Sequence, residues 1–283
     1  MGADKELVLY VVATPIGNLG DISARAAEVL SSADFIAAED TRVTSKLLNH
    51  LGIKKPIVSY YQHNMQERGE VIIDRILGGE SCALCSDAGT PAISDPGELL
   101  VKQAYEAGIC VVPIPGPCAV ITALSASGLI TGRFVFEGFI PVSKKSRAEH
   151  LDDIKTERKT MIFYEAPHKL KRTLDDLLAV LGDRKLTVAR ELTKLHEEIF
   201  VTTIGDAVAK YADEQPRGEF VLVVEGAALP QKKEPDENNA RDLLEEYLAE
   251  GTALLEASKL VASKTGMRKS DVYKIGIEMK EKP

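Results

Sequence analysis

Residues 85–97 read CSDAGTPAISDPG. Here Ser86, Asp87, Gly89 and Thr90 gather two hydroxyls, a carboxylate and a glycine directly after the apolar run Cys82–Cys85. Open α/β sheets bind their ligands at the carboxyl ends of strands, and a loop of small residues lets backbone approach a ligand closely. Pro91 stiffens the loop. The chemistry on offer is ligand binding beside a carboxylate, although the same composition also suits a tight strand-to-helix turn. Asp95 is expected to cap the next helix, with Pro96 in its first position. Cys82 and Cys85 form a CxxC, but residues three apart on a strand face opposite sides of a sheet. No second pair or histidine cluster completes a ligand set, so no metal is expected and both thiols are read as buried and structural.

The elements that must hold this loop alternate between β and α signals. Residues 7–13 are an apolar, β-branched run suited to a strand buried on both faces. They lead into TPIGNLG (14–20), which is not GxGxxG and gives dinucleotide binding little support. Helical spacing follows at Ile22, Ala26 and Leu30, then strand, helix, strand and helix signals at 35–38, 44–51, 57–60 and 71–77. Residues 109–114 read as a strand running into Pro115, Gly116, Pro117 and Cys118, before a small-residue helix over 119–127. This alternation predicts a doubly wound α/β domain over 1–128. A second α/β domain is expected over 129–228, with strands at 133–140, 160–164, 186–189, 199–203 and 220–224 and an amphipathic helix after His168. Within it, SKKSR (143–147) reads as a basic lid or linker. Residues 229–239, LPQKKEPDENN, are polar and aperiodic, as in a linker. Residues 240–283 form a helical tail in which Thr265, Gly266, Met267 and Arg268 resemble the turn of a helix-turn-helix.

The 283 residues carry 35 Lys and Arg against 43 Asp and Glu, a formal net charge of −8. An unselective electrostatic grip on nucleic acid or membrane is excluded, and a polyanionic partner must meet local basic patches. No stretch has the apolar length of a bilayer span, and acids precede the first short apolar run, unlike the basic start of a signal peptide. A soluble, cytoplasmic protein is expected.

Six segments carry a family resemblance: TPIGNLGDIS (14–23), AEDTR (38–42), SDAGTPAISDPG (86–97), PGP (115–117), EAPHK (165–169) and ARELTK (189–194). In this order they resemble the motifs of the tetrapyrrole-methylase superfamily, and more narrowly of its rRNA-directed branch. The likeness covers nearly the whole chain, helical tail included. Lys169 stands where an arginine often stands, which keeps the charge and loses the planar fork. The resemblance implies two α/β domains of tetrapyrrole-methylase type with the cofactor cleft between them, plus a small C-terminal helical module. It implies S-adenosylmethionine as cofactor and methylation of the ribose 2′-hydroxyl of a cytidine in the decoding region of 16S rRNA, within the 30S subunit, by a homodimer. By motif position the cofactor contacts would be Pro15; Ser86, Asp87, Gly89 and Thr90; Cys118 and Ala119; and Glu165 and Ala166.

Methyl transfer from a sulfonium to an alcohol is an in-line displacement, so such a site must align the reacting atoms, exclude water and help remove the hydroxyl proton. A cationic sulfonium favours nearby carboxylates, for which Asp87 is a source. Asp40, Glu165, His168, Glu191 and Lys194 are the candidate bases. Lys194 is preferred because a lysine desolvated in a cleft has a lowered pKa, with Glu165 and Asp40 beside it. Arg42, Lys144, Lys145, Arg147, His168 and Lys169, with Arg268 and Lys269 of the tail, are candidates for substrate RNA; Arg68 and Arg172 extend the set. Solvated surface is the plain alternative for each. Two other functions stay open: a methylase of a small tetrapyrrole precursor, which would need no basic tail, and a non-catalytic RNA-binding assembly protein, which would need no cofactor pocket.

Overall fold

The computed structural model describes residues 7–228 and 237–281. The chain divides into two compact units, one ending at Ala227 and the other beginning at Ala228.

Strands β1 (Val8–Val12), β2 (Phe35–Ala38), β3 (Ile57–Ser59), β4 (Cys82–Cys85) and β5 (Cys110–Ile114) alternate with helices α1 (Ala24–Ser32), α2 (Thr41–His50), α3 (Met65–Leu77) and α4 (Gly97–Glu106). The strands pair in parallel in the order β3-β2-β4-β1-β5. β2 and β4 are buried along their whole length, which is why they appear as unbroken apolar runs. Cys82 packs with Ile72, Ile76 and Leu100 of α3 and α4, whereas Cys85 packs with Ala26, Leu30 and Leu47 of α1 and α2. The two thiols therefore fill opposite faces of one sheet. Burial pushes both up, Cys85 to about 12. From β1 the chain passes over one face through α1 to β2, and from β4 over the other through α4 to β5. Where these connections diverge, between β1 and β4, a crevice opens at the carboxyl ends of the strands.

α5 (Ala119–Ser125) closes this half. A mixed sheet follows, built from β6 (Phe134–Phe139), β7 (Thr160–Glu165), β8 (Lys185–Arg190), β9 (Glu198–Thr203) and β10 (Phe220–Val224), with α6 (Lys144–Asp153), α7 (Pro167–Leu181) and α8 (Ile204–Asp213). Its order is β6-β7-β10-β8-β9, with β10 antiparallel to both neighbours. α7 and α8 cover one face through Leu170, Leu174, Ile204 and Ala207. α5 covers the other, setting Val120, Ala123 and Leu124 against Ile162, Ala189 and Val223. Burial of Val120 and of Leu124 stabilises by about 1.5–3 kcal/mol each, which holds α5 on this face of the second sheet.

Three local expectations change. SKKSR is neither lid nor linker: Ser143 caps α6, its hydroxyl accepting the Ser146 N–H at 3.3 Å. No helix is expected from the sequence over 204–213, yet Thr203 ends β9 and caps α8, accepting the Asp206 N–H at 3.2 Å. Pro96 rather than Asp95 occupies the cap of α4. Asp95 reaches in from one residue earlier, its Oδ1 accepting the N–H groups of Gly97 at 2.7 Å and Ala92 at 2.8 Å.

In the second unit α9 (Glu237–Ala249), α10 (Leu254–Thr265) and α11 (Lys269–Glu281) pack around Leu244, Ala257, Val261, Val272 and Ile275. Gly266 ends α10 at φ 73°, the left-handed conformation that glycine adopts without strain. Of the expected linker 229–239, residues 229–236 lie outside the described residues and 237–239 begin α9. Among the described residues no helix is long and apolar enough to cross a membrane.

Candidate active site

Three loops meet at the β1/β4 crevice. Thr14 and Gly89 exchange backbone hydrogen bonds, Thr14 N–H to Gly89 O at 2.8 Å and Gly89 N–H to Thr14 O at 3.1 Å. Thr90 Oγ1 donates to the Pro117 carbonyl at 3.2 Å, tying the central loop to the PGP turn. Gly89 holds φ +80°, and a Cβ there would lie 3.3 Å from Ile16 Cγ2; both the conformation and the close approach call for glycine. Ala92 and Ser94 also hold positive φ, 67° and 61°. The Asp95 carboxylate that clasps Ala92 and Gly97 fixes this backbone in place.

The second sheet faces these loops across a cavity of about 650 Å³, a size typical of small-molecule sites. Its walls bring together Ser86, Asp87, Gly89 and Thr90 of the central loop, Cys118 and Ala119 at the start of α5, and Glu165 and Ala166 at the end of β7. Pro15 stands apart, lining a separate cavity of about 230 Å³ that shares Ser86 and Asp87. Ile16, Leu192 and Val221 add apolar surface. Tyr164, 4.9 Å from Phe136 and 5.6 Å from Phe139 between ring centroids, adds an aromatic wall. Burial pushes its phenol up to about 12.

The cavity is acidic. Glu39, Asp87, Asp95, Glu165 and Glu219 line it, and His168 is the basic side chain among its lining residues. Such a lining attracts a cation and repels phosphate. Asp87 Oδ1 accepts the Asp40 N–H at 2.9 Å, and the Asp87 N–H favours the ionised Glu39 carboxyl. Burial first, then the Asp87 charge, lift Glu39 above the ordinary carboxylate value despite that N–H. Burial likewise lifts Asp95 against the N–H groups that hold it. Glu165 is 3% exposed, its oxygens taken by the Ala166 N–H and the Thr173 hydroxyl. Sequence reasoning singles out neither Glu39 nor Tyr164, although Glu39 belongs to AEDTR and Tyr164 immediately precedes EAPHK.

Lys194 is not the desolvated amine that the sequence suggests. Its Nζ lies 2.9 Å from Glu191 Oε1 and 2.9 Å from Glu219 Oε2. Burial pulls its pKa down, but the two carboxylates outweigh burial and hold it above the ordinary lysine value, so it stays an ammonium. Asp40 caps α2 and pairs with Arg42, Oδ2 to Nη2 at 2.6 Å. Hydrogen bonds from Arg42 hold its carboxyl down at about 2, a weak acceptor for an alcohol proton. Arg147 leaves the RNA-facing set: it is 4% exposed, with Nε 2.5 Å from Asp176 Oδ2 and Nη2 3.0 Å from Thr173 Oγ1. Lys144 and Lys145 are exposed on α6, Arg42 on α2 and His168 on α7, while Lys169 is half-buried. Arg268 and Lys269 are exposed in the second unit.

Residues 8–208 match the family model described as Tetrapyrrole (Corrin/Porphyrin) Methylases. Over 273 residues the chain is 47% identical to ribosomal RNA small subunit methyltransferase I of Synechocystis sp., covering 96% of this chain and 98% of the relative. The protein of the same name from Halalkalibacterium halodurans is 49% identical over 277 residues, 96% of this chain and 95% of the relative. That from Escherichia coli O157:H7 is 46% identical over 274 residues, 95% and 94%. Among solved structures, a diphthine synthase superposes with a TM-score of 0.62 at 16% identity, over 79% of this chain and 91% of its own. A cobalt precorrin-4 methyltransferase superposes with a TM-score of 0.58 at 18% identity, over 79% and 97%. At these identities the structural likeness is one of fold.

Proposed function

This chain belongs to the tetrapyrrole (corrin/porphyrin) methylase family, among the members called ribosomal RNA small subunit methyltransferase I, and from that premise we propose that it uses S-adenosylmethionine to methylate the ribose 2′-hydroxyl of a cytidine in the decoding region of 16S rRNA. The extent of the likeness carries the reading. The Synechocystis relative, whose name places its reaction on small-subunit rRNA, matches 96% of the chain, whereas the precorrin methyltransferase fold matches 79%. That the match to this relative extends over the helical second unit supports the rRNA reading.

The residues present fit S-adenosylmethionine, because its sulfonium and amino groups are cations and the cavity is lined by carboxylates. Asp87 and Glu39 would face the cationic end. The backbone at Gly89 and Thr90, with Ser86, Cys118, Ala119, Glu165 and Ala166, would hold the rest beside the Tyr164 wall. When bound, the cofactor supplies an electrophilic methyl group. The chain's part is to position the acceptor hydroxyl, shed water through the apolar wall and accept a proton.

The acidic lining keeps phosphates out of the cavity, so a ribose must enter while its flanking backbone rests on cations outside. Arg42, Lys144, Lys145 and Lys169 are the proposed contacts in the first unit, with His168 at the cavity and Arg268 and Lys269 in the second unit. The proposed substrate is the 30S particle in the cytoplasm, and the acting form a homodimer.

Radiolabelled S-adenosylmethionine, given with 30S subunits lacking the modification or with naked 16S rRNA, tests the reading. Label on one cytidine ribose, lost in Asp87→Ala, is the expected outcome. No label on either RNA while calorimetry still detects cofactor binding would overturn the rRNA assignment.

A further inference from the structure

The loop structure already employs most carboxylates of the cavity. Asp95 holds the Ala92 and Gly97 N–H groups. Glu165 holds the Ala166 N–H and the Thr173 hydroxyl, and Glu219 pairs with Lys194. Asp87 takes the Asp40 N–H on Oδ1.

Glu39 differs. It follows β2 directly, and because Ala38 pairs with Cys85, it stands across from Ser86 and Asp87. The Asp87 carboxylate binds the next N–H along, that of Asp40, at 2.9 Å. This pairing of the two segments sets Glu39 in the cavity wall beside Asp87, the residue proposed to face the sulfonium. We propose that Glu39 is the general base that takes the 2′-hydroxyl proton of the acceptor ribose. The inference rests on the proposed function and names the proton acceptor of that same site.

In the step, the hydroxyl proton passes to a Glu39 oxygen and the ribose oxygen forms the new O–CH₃ bond. The pair of the broken C–S bond stays on sulfur, the sulfonium becomes a neutral thioether, and the carboxylic acid later releases its proton to water. Asp87 and Asp95 of the central loop and Asp40 of its own segment set the charge around Glu39, with Arg42 paired to Asp40. Burial and these acids raise its affinity for a proton, which strengthens it as a base. A bound cation beside it favours the ionised form needed to accept one. His168 is the imidazole of the lining, and it is exposed.

The test compares wild type, Glu39→Gln, Glu39→Asp and His168→Gln in single-turnover labelling of 30S subunits from pH 5 to 9, with cofactor affinity measured by calorimetry. Expected are a fall of about 100-fold or more in Glu39→Gln at saturating cofactor, larger than any loss of cofactor affinity, and loss of the acid limb of the pH profile. Glu39→Asp should keep that limb at a reduced rate, and His168→Gln should keep it too. A smaller fall in Glu39→Gln, a fall matched by lost cofactor affinity, or an acid limb that disappears with His168→Gln overturns the assignment alone. An unlabelled substrate with wild type would remove the reading beneath it and the inference together.

Discussion

Arg147 Nε lies 2.5 Å from Asp176 Oδ2 between α6 and α7. Its Nη2 donates to Thr173, and Thr173 donates to Glu165 on the cavity wall. A buried guanidinium is thus tied through one hydroxyl to a carboxylate of the site. Asp176 is partly exposed and has Arg172 nearby, so the loss falls on the buried guanidinium site and the Thr173 hydroxyl it binds, and Arg147→Ala is expected to cost about 1–3 kcal/mol in urea unfolding. Its affinity for rRNA, compared at equal folded fraction, should stay at the wild-type level. Normal stability with lost rRNA affinity would return Arg147 to the RNA-facing set.

That misreading shows where sequence reasoning runs out. β1, β2 and β4 are legible because strands covered on both faces must be apolar throughout. The central loop is legible because its special composition is contiguous. Arg147 is not, since it sits in a run of Lys and Ser while its partners lie 26 and 29 residues further on. Glu39 escapes for the same reason: the neighbouring Asp40 is bound to Asp87 at a separation of 47 residues. α8 is hidden because its cap, Thr203, is also the last residue of β9, so strand and helix signals run together.

Gly17 marks where the first loop meets the ARELTK segment. A Cβ there would lie 2.5 Å from Lys194 Cγ, 2.9 Å from Thr193 Oγ1 and 3.1 Å from the Leu192 carbonyl. The lysine stem can move, but the backbone carbonyl moves only with the loop, and Glu191 and Thr193 already hold positive φ of 52° and 66°. Gly17→Ala should therefore push the segment outward, at a cost of about 1 kcal/mol in stability. Cofactor affinity by calorimetry should fall about tenfold, because Leu192 lines the cavity. Lys194→Ala in the same chain should restore part of it; unchanged affinity in Gly17→Ala would show that this contact does not set the width of the cavity.

Glu39 should also leave a mark on stability. Its pKa is raised in the folded protein, so the native state binds its proton more tightly than the unfolded chain. The resulting stabilisation is fully present below the ordinary carboxylate range and is lost as pH rises through the raised value. At neutral pH the wild type carries an ionised carboxylate among Asp87, Asp95 and Asp40, which Glu39→Gln removes. The variant should then melt higher than wild type at pH 7 and converge with it near pH 4. A lower Tm for the variant at pH 7, widening on acidification, would contradict the environment described for this carboxyl.

Arg268 and Lys269 flank the turn between α10 and α11, just after Gly266 in its left-handed conformation. They are exposed, and no hydrophobic contact of the three-helix core depends on them. Replacing both by Glu should leave folding and cofactor affinity unchanged, since the cavity is lined by the first unit. If the pair meets phosphates, rRNA affinity should fall for any sequence presented. The slope of log affinity against log salt should also shrink by about 1 for each cation lost. Affinity and salt slope both equal to wild type would assign this basic turn to solvent and leave the grip on rRNA to Arg42, Lys144, Lys145 and Lys169.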